Sequence, residues 1–137
     1  CFQLLLPKIK CMEKEVVYST EAPKPIGPYS QAVWAGDTLF VSGQIALDPA
    51  SGELIQGNIE TETKAVLNNV KAILDKAGIG FSNIVKTSIF LKNMDDFAAV
   101  NAVYASYFTS DFPARETVQV SKLPKDVNVE ISVIAIR

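Results

Sequence analysis

The chain has no histidine, and that absence removes more chemistry than any other feature of its composition. Ser-His and Cys-His nucleophile pairs, the common zinc sites and a histidine general base are all excluded. Cysteine is nearly absent too: the two present, Cys1 and Cys11, both precede the first methionine, Met12. No disulfide framework can staple the body, and no thiol within it can serve as a nucleophile, which suits a reducing cytoplasm or organelle matrix. Arginine occurs only at Arg115 and Arg137, and no apolar run reaches the roughly 18 residues of a membrane span. With 13 basic against 15 acidic residues the net charge is −2, and no basic stripe suited to nucleic acid is visible. Any chemistry must run on carboxylates, guanidinium, ammonium, phenol, hydroxyl or backbone groups.

What is present describes a single globular domain. The 137 residues are 48% hydrophobic and 20% charged, enough to build a core without metal or crosslinks. Residues 1–11, with Leu4-Leu5-Leu6 ahead of Pro7, Lys8 and Lys10, have the wrong order for a signal peptide and read as an extension or an appended segment. The domain is then 12–137.

Short strands are expected at Val16–Tyr18, Ala32–Ala35, Thr38–Ser42 and Gln44–Leu47, with Gly36-Asp37 a two-residue hairpin turn. The prolines at 23, 25 and 28 stiffen a loop. A helix from about Glu60 to Ala77 follows from the stripe Val66, Leu67, Val70, Ile73, Leu74, Ala77, with Asn58 as N-cap and Gly78 as left-handed stop. A second, about Asp95 to Phe108, gathers Phe97, Val100, Tyr104, Tyr107 and Phe108 on one side, with Asn101 oddly among them. Ile84–Lys92 alternates, with Val85, Thr87, Ile89 and Leu91 on one face, and Thr117–Val120 and Val127–Ile136 close the chain as strands. The order βββ-α-β-α-ββ predicts an α+β fold with one mostly antiparallel sheet and both helices on one face. In the last strand Val129, Ile131, Val133 and Ala135 share one face, while the other reads Asn128, Glu130, Ser132, Ile134, Ile136. Two isoleucines ending a face that also carries Glu130 suggest that a second subunit covers it.

An internal arginine kept among eleven lysines suggests a need for the planar fork that grips a carboxylate or phosphate; the plainer reading is a surface arginine paired with Glu116. Tyr29 follows the rigid Gly27-Pro28 turn, and Gly43 interrupts an apolar strand, either as a bulge or where backbone meets ligand. Asn101 reads as part of a hydrogen-bond network.

Six segments in order carry a resemblance: Ile26-Gly27-Pro28-Tyr29-Ser30-Gln31-Ala32, Phe40-Val41-Ser42-Gly43-Gln44-Ile45, Ile84-Val85-Lys86-Thr87, Val100-Asn101-Ala102-Val103-Tyr104, Phe112-Pro113-Ala114-Arg115, and Leu123-Pro124-Lys125-Asp126 leading to Val129-Glu130-Ile131. From about Val16 onward the chain resembles the Rid family of reactive-intermediate (enamine/imine) deaminases, specifically the RidA type. The resemblance implies a chorismate-mutase-like fold, a homotrimer with sites at subunit clefts, no cofactor and no metal. It also implies hydrolysis of 2-iminobutanoate and 2-iminopropanoate to 2-oxo acids and ammonia. Arg115 would hold the substrate carboxylate, and Glu130 would direct water at the imine carbon. Tyr29, placed with Arg115 and Glu130 among the catalytic residues, would with Ser42 and Asn101 shape the pocket and hydrogen-bond substrate or water; Gly43 would let main chain approach the ligand, and Thr117 would contact it by hydroxyl or backbone amide. Glu116 and Thr117 stand where many RidA chains carry Ser and Cys; strand alternation turns Glu116 away from Arg115. The competing expectations are a trimeric module that binds small carboxylates without turnover and, disfavoured by the acidic body, a ribonuclease or translation inhibitor.

Overall fold

The computed structural model describes residues 13–137. The reading of residues 1–11 therefore lies outside the described part. Six strands, β1 (Lys14–Val17), β2 (Ala32–Ala35), β3 (Thr38–Gln44), β4 (Ile84–Leu91), β5 (Ala114–Gln119) and β6 (Val129–Ile136), form one sheet in the order β1-β2-β3-β6-β4-β5. Every pairing is antiparallel except β4 with β5. Helices α1 (Ile59–Ala77) and α2 (Phe97–Ala105) pack together on one face, so the α+β expectation holds.

Local chemistry explains the boundaries. Asn58 accepts the Thr61 N–H at 2.8 Å to start α1, and Gly78, at φ 80°, ends it in the left-handed region that a Cβ would disfavour. Gly36 (φ 60°) turns β2 into β3, with Ala35 opposite Thr38. The core lies between the sheet and α1: Val66, Leu67, Val70, Ile73 and Leu74 meet Leu39, Ile89, Leu91, Val129, Ile131 and Ala135, all 1% exposed or less.

Four expectations need correction. Gln44–Leu47 is not a separate strand: β3 runs through Gly43 to Gln44 past a bulge, and the chain then leaves the ladder. Val85 is exposed instead of sharing the inner face, because a register irregularity between Ile84 and Lys86 shifts the alternation and Ile84 takes the buried place. The second helix is shorter, since Met94–Asp96 forms a 3₁₀ turn capped by Asn93 and the helix stops at Ala105; Phe97 is exposed. The fifth strand begins at Ala114, so Arg115 and Glu116 are strand residues with opposite orientations.

The face away from the helices is open. One row across it reads Val16, Val33, Phe40, Ile134, Lys86, Ala114, and others read Ser132, Ser88, Glu116 and Glu130, Phe90, Val118. Phe40 and Ile136 remain 49% and 45% exposed, a concentration of apolar surface unusual for a face left to water.

Candidate active site

The register divides the expected site residues into two groups. Arg115 lies opposite Thr87, which is fully buried on the helix side, whereas Glu130 lies opposite Phe90 on the open side. Within one protomer the guanidinium and the carboxylate therefore occupy opposite faces of the sheet.

The Arg115 group is built by β5 and α2. Arg115 Nη1 donates to Asn101 Oδ1 at 2.7 Å, which accounts for an amide on the otherwise apolar side of α2. The guanidinium stands over the Tyr104 ring at 5.0 Å and the Phe97 ring at 5.8 Å. Tyr104 is itself fixed, its hydroxyl donating to Thr87 Oγ1 at 3.0 Å; burial raises its phenol above the usual range, against the opposing effects of that hydrogen bond and of Arg115. A concavity lined by Asn101, Tyr104, Ala105, Phe112, Pro113 and Arg115 opens beside them. None of the four ion pairs among the described residues includes Arg115. The alternative pairing with Glu116 fails: Glu116 bonds Lys86 Nζ at 3.2 Å and Ser88 Oγ at 3.0 Å on the other face. Two residues beyond Arg115, and on its face, Thr117 Oγ1 is buried without a hydrogen-bond partner. Such an orphan costs about 1–3 kcal/mol; it lies on the guanidinium's side of the strand but does not line the concavity beside Arg115.

The Glu130 group is built by β3, β6 and the proline-rich loop. A cleft is lined by Lys24, Tyr29, Ser42, Gly43 and Glu130, with apolar walls from Pro23, Ile26, Ile45, Leu47 and Pro124. Burial pushes the Glu130 carboxyl above the ordinary carboxylate range, and the described residues supply no offsetting hydrogen bond or charge. Ser42 uses its proton to hold the loop, Oγ donating to the Ser30 carbonyl at 2.6 Å. The Tyr29 hydroxyl accepts the Ile26 N–H at 3.2 Å, so the phenol is folded back on its own turn with its proton free.

Gly43 acquires a specific explanation. A Cβ built there would stand 2.8 Å from Glu130 Cδ and 2.9 Å from Oε1. The glycine makes room for the carboxylate itself. Because the clash is with the mobile end of a side chain, Gly43→Ala is expected to keep the fold while displacing the carboxylate. Its melting temperature should stay within about 4 °C of wild type, and turnover should fall about 100-fold if Glu130 acts on the reacting atoms. Thermal melts beside steady-state kinetics check this; unchanged turnover would detach Gly43 from the site.

The sequence pattern places Tyr104 in the core without marking its role beneath Arg115, and it leaves Gln31, Glu62 and Asn69 unmarked. Gln31, buried in the loop, takes the Ser19 N–H at 2.6 Å and donates to the carbonyls of Ser19 and Pro23 at 3.0 and 2.9 Å, fixing the loop that carries Lys24 and Tyr29. Glu62, buried on α1, bonds the chain just before β6. Buried polar residues of this kind leave a weak trace in sequence, an amide or carboxylate at a position where the pattern calls for hydrocarbon.

No helix among the described residues is long and apolar enough to cross a membrane. Residues 19–137 match the family model described as Endoribonuclease L-PSP. A RutC family protein of Pyrococcus horikoshii is 53% identical over 122 residues, covering 89% of this chain and 97% of that one. The goat (Capra hircus) protein named 2-iminobutanoate/2-iminopropanoate deaminase is 47% identical over 124 residues, 90% of each chain. The crystal structure of a Rid-family protein of unknown function from Yersinia pestis superposes with a TM-score of 0.89 at 47% identity, covering 91% of this chain and all of that one. The shared sequence and fold, including every segment that carries the two half-sites, place this chain in the Rid (YjgF-like) family.

Proposed function

We propose that this protein hydrolyses 2-imino acids, 2-iminobutanoate and 2-iminopropanoate among them, to 2-oxo acids and ammonia. The observation that carries the reading is the division of the site. A guanidinium with no ionic partner among the described residues stands on one face, and a half-buried carboxylate in a cleft stands on the other. A single small acid can meet both only if the Arg115 edge of one protomer abuts the Glu130 cleft of another. The exposed apolar rows of the open face favour such an assembly, which we assign as a homotrimer. The deaminase name borne by the goat relative supports the same reaction.

The chemistry asks for little. Arg115, oriented by Asn101 and stacked on Tyr104, holds the carboxylate of the imino acid through its fork. Glu130, with its raised proton affinity, takes a proton from water as the oxygen adds to C2; the C=N electron pair moves onto nitrogen, which receives that proton to give a carbinolamine bearing hydroxyl and amino groups. Glu130 then takes the hydroxyl proton and passes it to the amino group, the C–N bond breaks, ammonia departs, and the oxygen's electron pair closes the carbonyl of the 2-oxo acid. Tyr29 offers its hydroxyl proton to the intermediate, and Ser42, Gly43, Asn101 and Thr117 shape the cavity. No cofactor or metal is required, and reaction takes place in the cytoplasm.

The test generates 2-iminobutanoate with a threonine dehydratase and follows 2-oxobutanoate. The chain is expected to accelerate release well beyond buffer and to sediment as a trimer. Release at the buffer rate would defeat the reaction, and a monomeric mass would defeat the shared site.

A further inference from the structure

Helix α1 carries more polarity on its buried side than its seating needs. Val66, Leu67, Val70, Ile73 and Leu74 already bury a continuous stripe, yet Glu62, Thr63 and Asn69 are buried beside them at 6%, 0% and 4% exposure. Burying a carboxylate and an amide costs free energy that hydrocarbon would not. Thr63 is satisfied locally, Oγ1 donating to the Ile59 carbonyl at 2.7 Å. The other two reach off the helix. Asn69 Nδ2 donates to the carbonyls of Ile45 and Leu47 at 3.1 and 3.0 Å. Glu62 takes the backbone N–H of Asn128 on Oε1 and its side-chain amide on Oε2, each at 2.8 Å.

The two sets of targets bear on Glu130 differently. Ile45 and Leu47 line the space around it, whereas Asn128 lies outside that lining, in the backbone just ahead of β6 and two residues before Glu130. Beyond Gln44 the chain leaves the β3–β6 ladder, so strand pairing no longer sets how far the wall of Ile45 and Leu47 stands from Glu130. Asn69 supplies that restraint on the wall, and Glu62 holds the backbone that leads into the strand carrying Glu130. We infer that Asn69 and Glu62 are positioning residues for Glu130, joining one wall of its cleft and the start of its own strand to a single rigid helix. The effect on turnover rests on the imine-hydrolysis reading; the effect on the Glu130 environment does not.

The test compares Asn69→Leu and Glu62→Leu with the conservative Glu62→Gln, in the full chain. Two quantities are read: the Glu130 titration midpoint by carboxyl ¹³C NMR without substrate, and kcat and KM with 2-iminobutanoate. A loosened wall or strand start admits water, so both leucine variants should lower the midpoint toward the ordinary carboxylate value. Lys24 is the other charged group lining this cleft and is untouched by the substitutions. In the same variants kcat should fall about 10-fold with KM within about twofold of wild type. Glu62→Gln should retain wild-type behaviour, because the Asn128 amide can turn over and present its oxygen to the new NH₂ group. Leucine variants that melt earlier but keep the wild-type midpoint and kcat would reduce both residues to structural braces and overturn the inference. Should they fail to fold, Asn128→Ala, at an exposed position, removes one of the two bonds to Glu62. A smaller downward shift of the midpoint would then support the inference, and an unchanged midpoint would overturn it. A wild-type chain without turnover would sink the deaminase reading alone, leaving the midpoint to decide this one.

Discussion

Glu130→Gln is expected to lose turnover by about 10²–10⁴-fold while melting at a higher temperature than wild type at neutral pH. The two effects share a cause. The carboxyl is half-buried beside Gly43 and walled by Ile45, Leu47 and Pro124, and burial raises its proton affinity. An acid whose pKa is higher in the folded than in the unfolded state favours the fold fully below its unfolded value. That contribution is lost as pH rises through the folded value, so above it the ionised side chain weighs against folding. Glutamine keeps the shape and removes the ionisation. Its advantage should therefore appear at neutral pH, shrink as pH falls through the folded value, and be gone below the unfolded value of about 4.3. Melting curves across that range beside the dehydratase-coupled assay read both effects. A variant that is neither more stable at neutral pH nor slower would place Glu130 in a solvated position outside the mechanism. In the proposed reaction the raised proton affinity makes Glu130 a better base toward water than an exposed carboxylate.

The elements readable from the sequence were those whose signals are local and periodic. Helix α1 announced itself by its stripe, its Asn58 cap and its Gly78 stop, and all three are present. The alternation of β6 gave both of its faces, including the semi-apolar one. Features that depend on a single inserted residue were less readable. The irregularity near Val85 reverses the side-chain alternation without any compositional mark; the one at Ser42-Gly43, which the glycine left open as a bulge, creates the recess that Glu130 occupies. Sheet order was equally hidden. Placing β6 between β3 and β4, with β5 parallel at the edge, is a matter of distant pairings, yet it sets Arg115 and Glu130 on opposite faces. Site residues surfaced mainly through the motifs that resemble the Rid family. Their neighbours Gln31, Glu62 and Asn69 stayed unnoticed because each looks like an ordinary polar residue until its buried partners are known. Asn69 did leave a hint, falling three residues after Val66 and four before Ile73, on the line of the apolar stripe.

Arg115→Ala is expected to reduce kcat/KM for 2-iminobutanoate by about 10²–10³-fold, the loss that follows removal of a bidentate, charge-assisted grip. The fold should tolerate it. Arg115 makes one side-chain hydrogen bond, to Asn101, and sits at the lip of a concavity on the edge strand β5, so the melting temperature should change little. Arg115→Lys discriminates between charge and shape. Lysine restores a cation over Tyr104 but cannot present two parallel N–H groups to a carboxylate while a third contact holds Asn101. If the fork matters, the lysine variant should lie nearer to alanine than to wild type; if charge alone matters, it should recover most of the activity. A binding measurement separates the remaining possibility. Titration with 2-oxobutanoate, the product and an isostere of the imine, should saturate wild type and Glu130→Gln but not Arg115→Ala. Equal binding by Arg115→Ala would mean that the carboxylate is held elsewhere, and the pairing of an Arg115 edge with a neighbour's Glu130 cleft would lose its reason to exist.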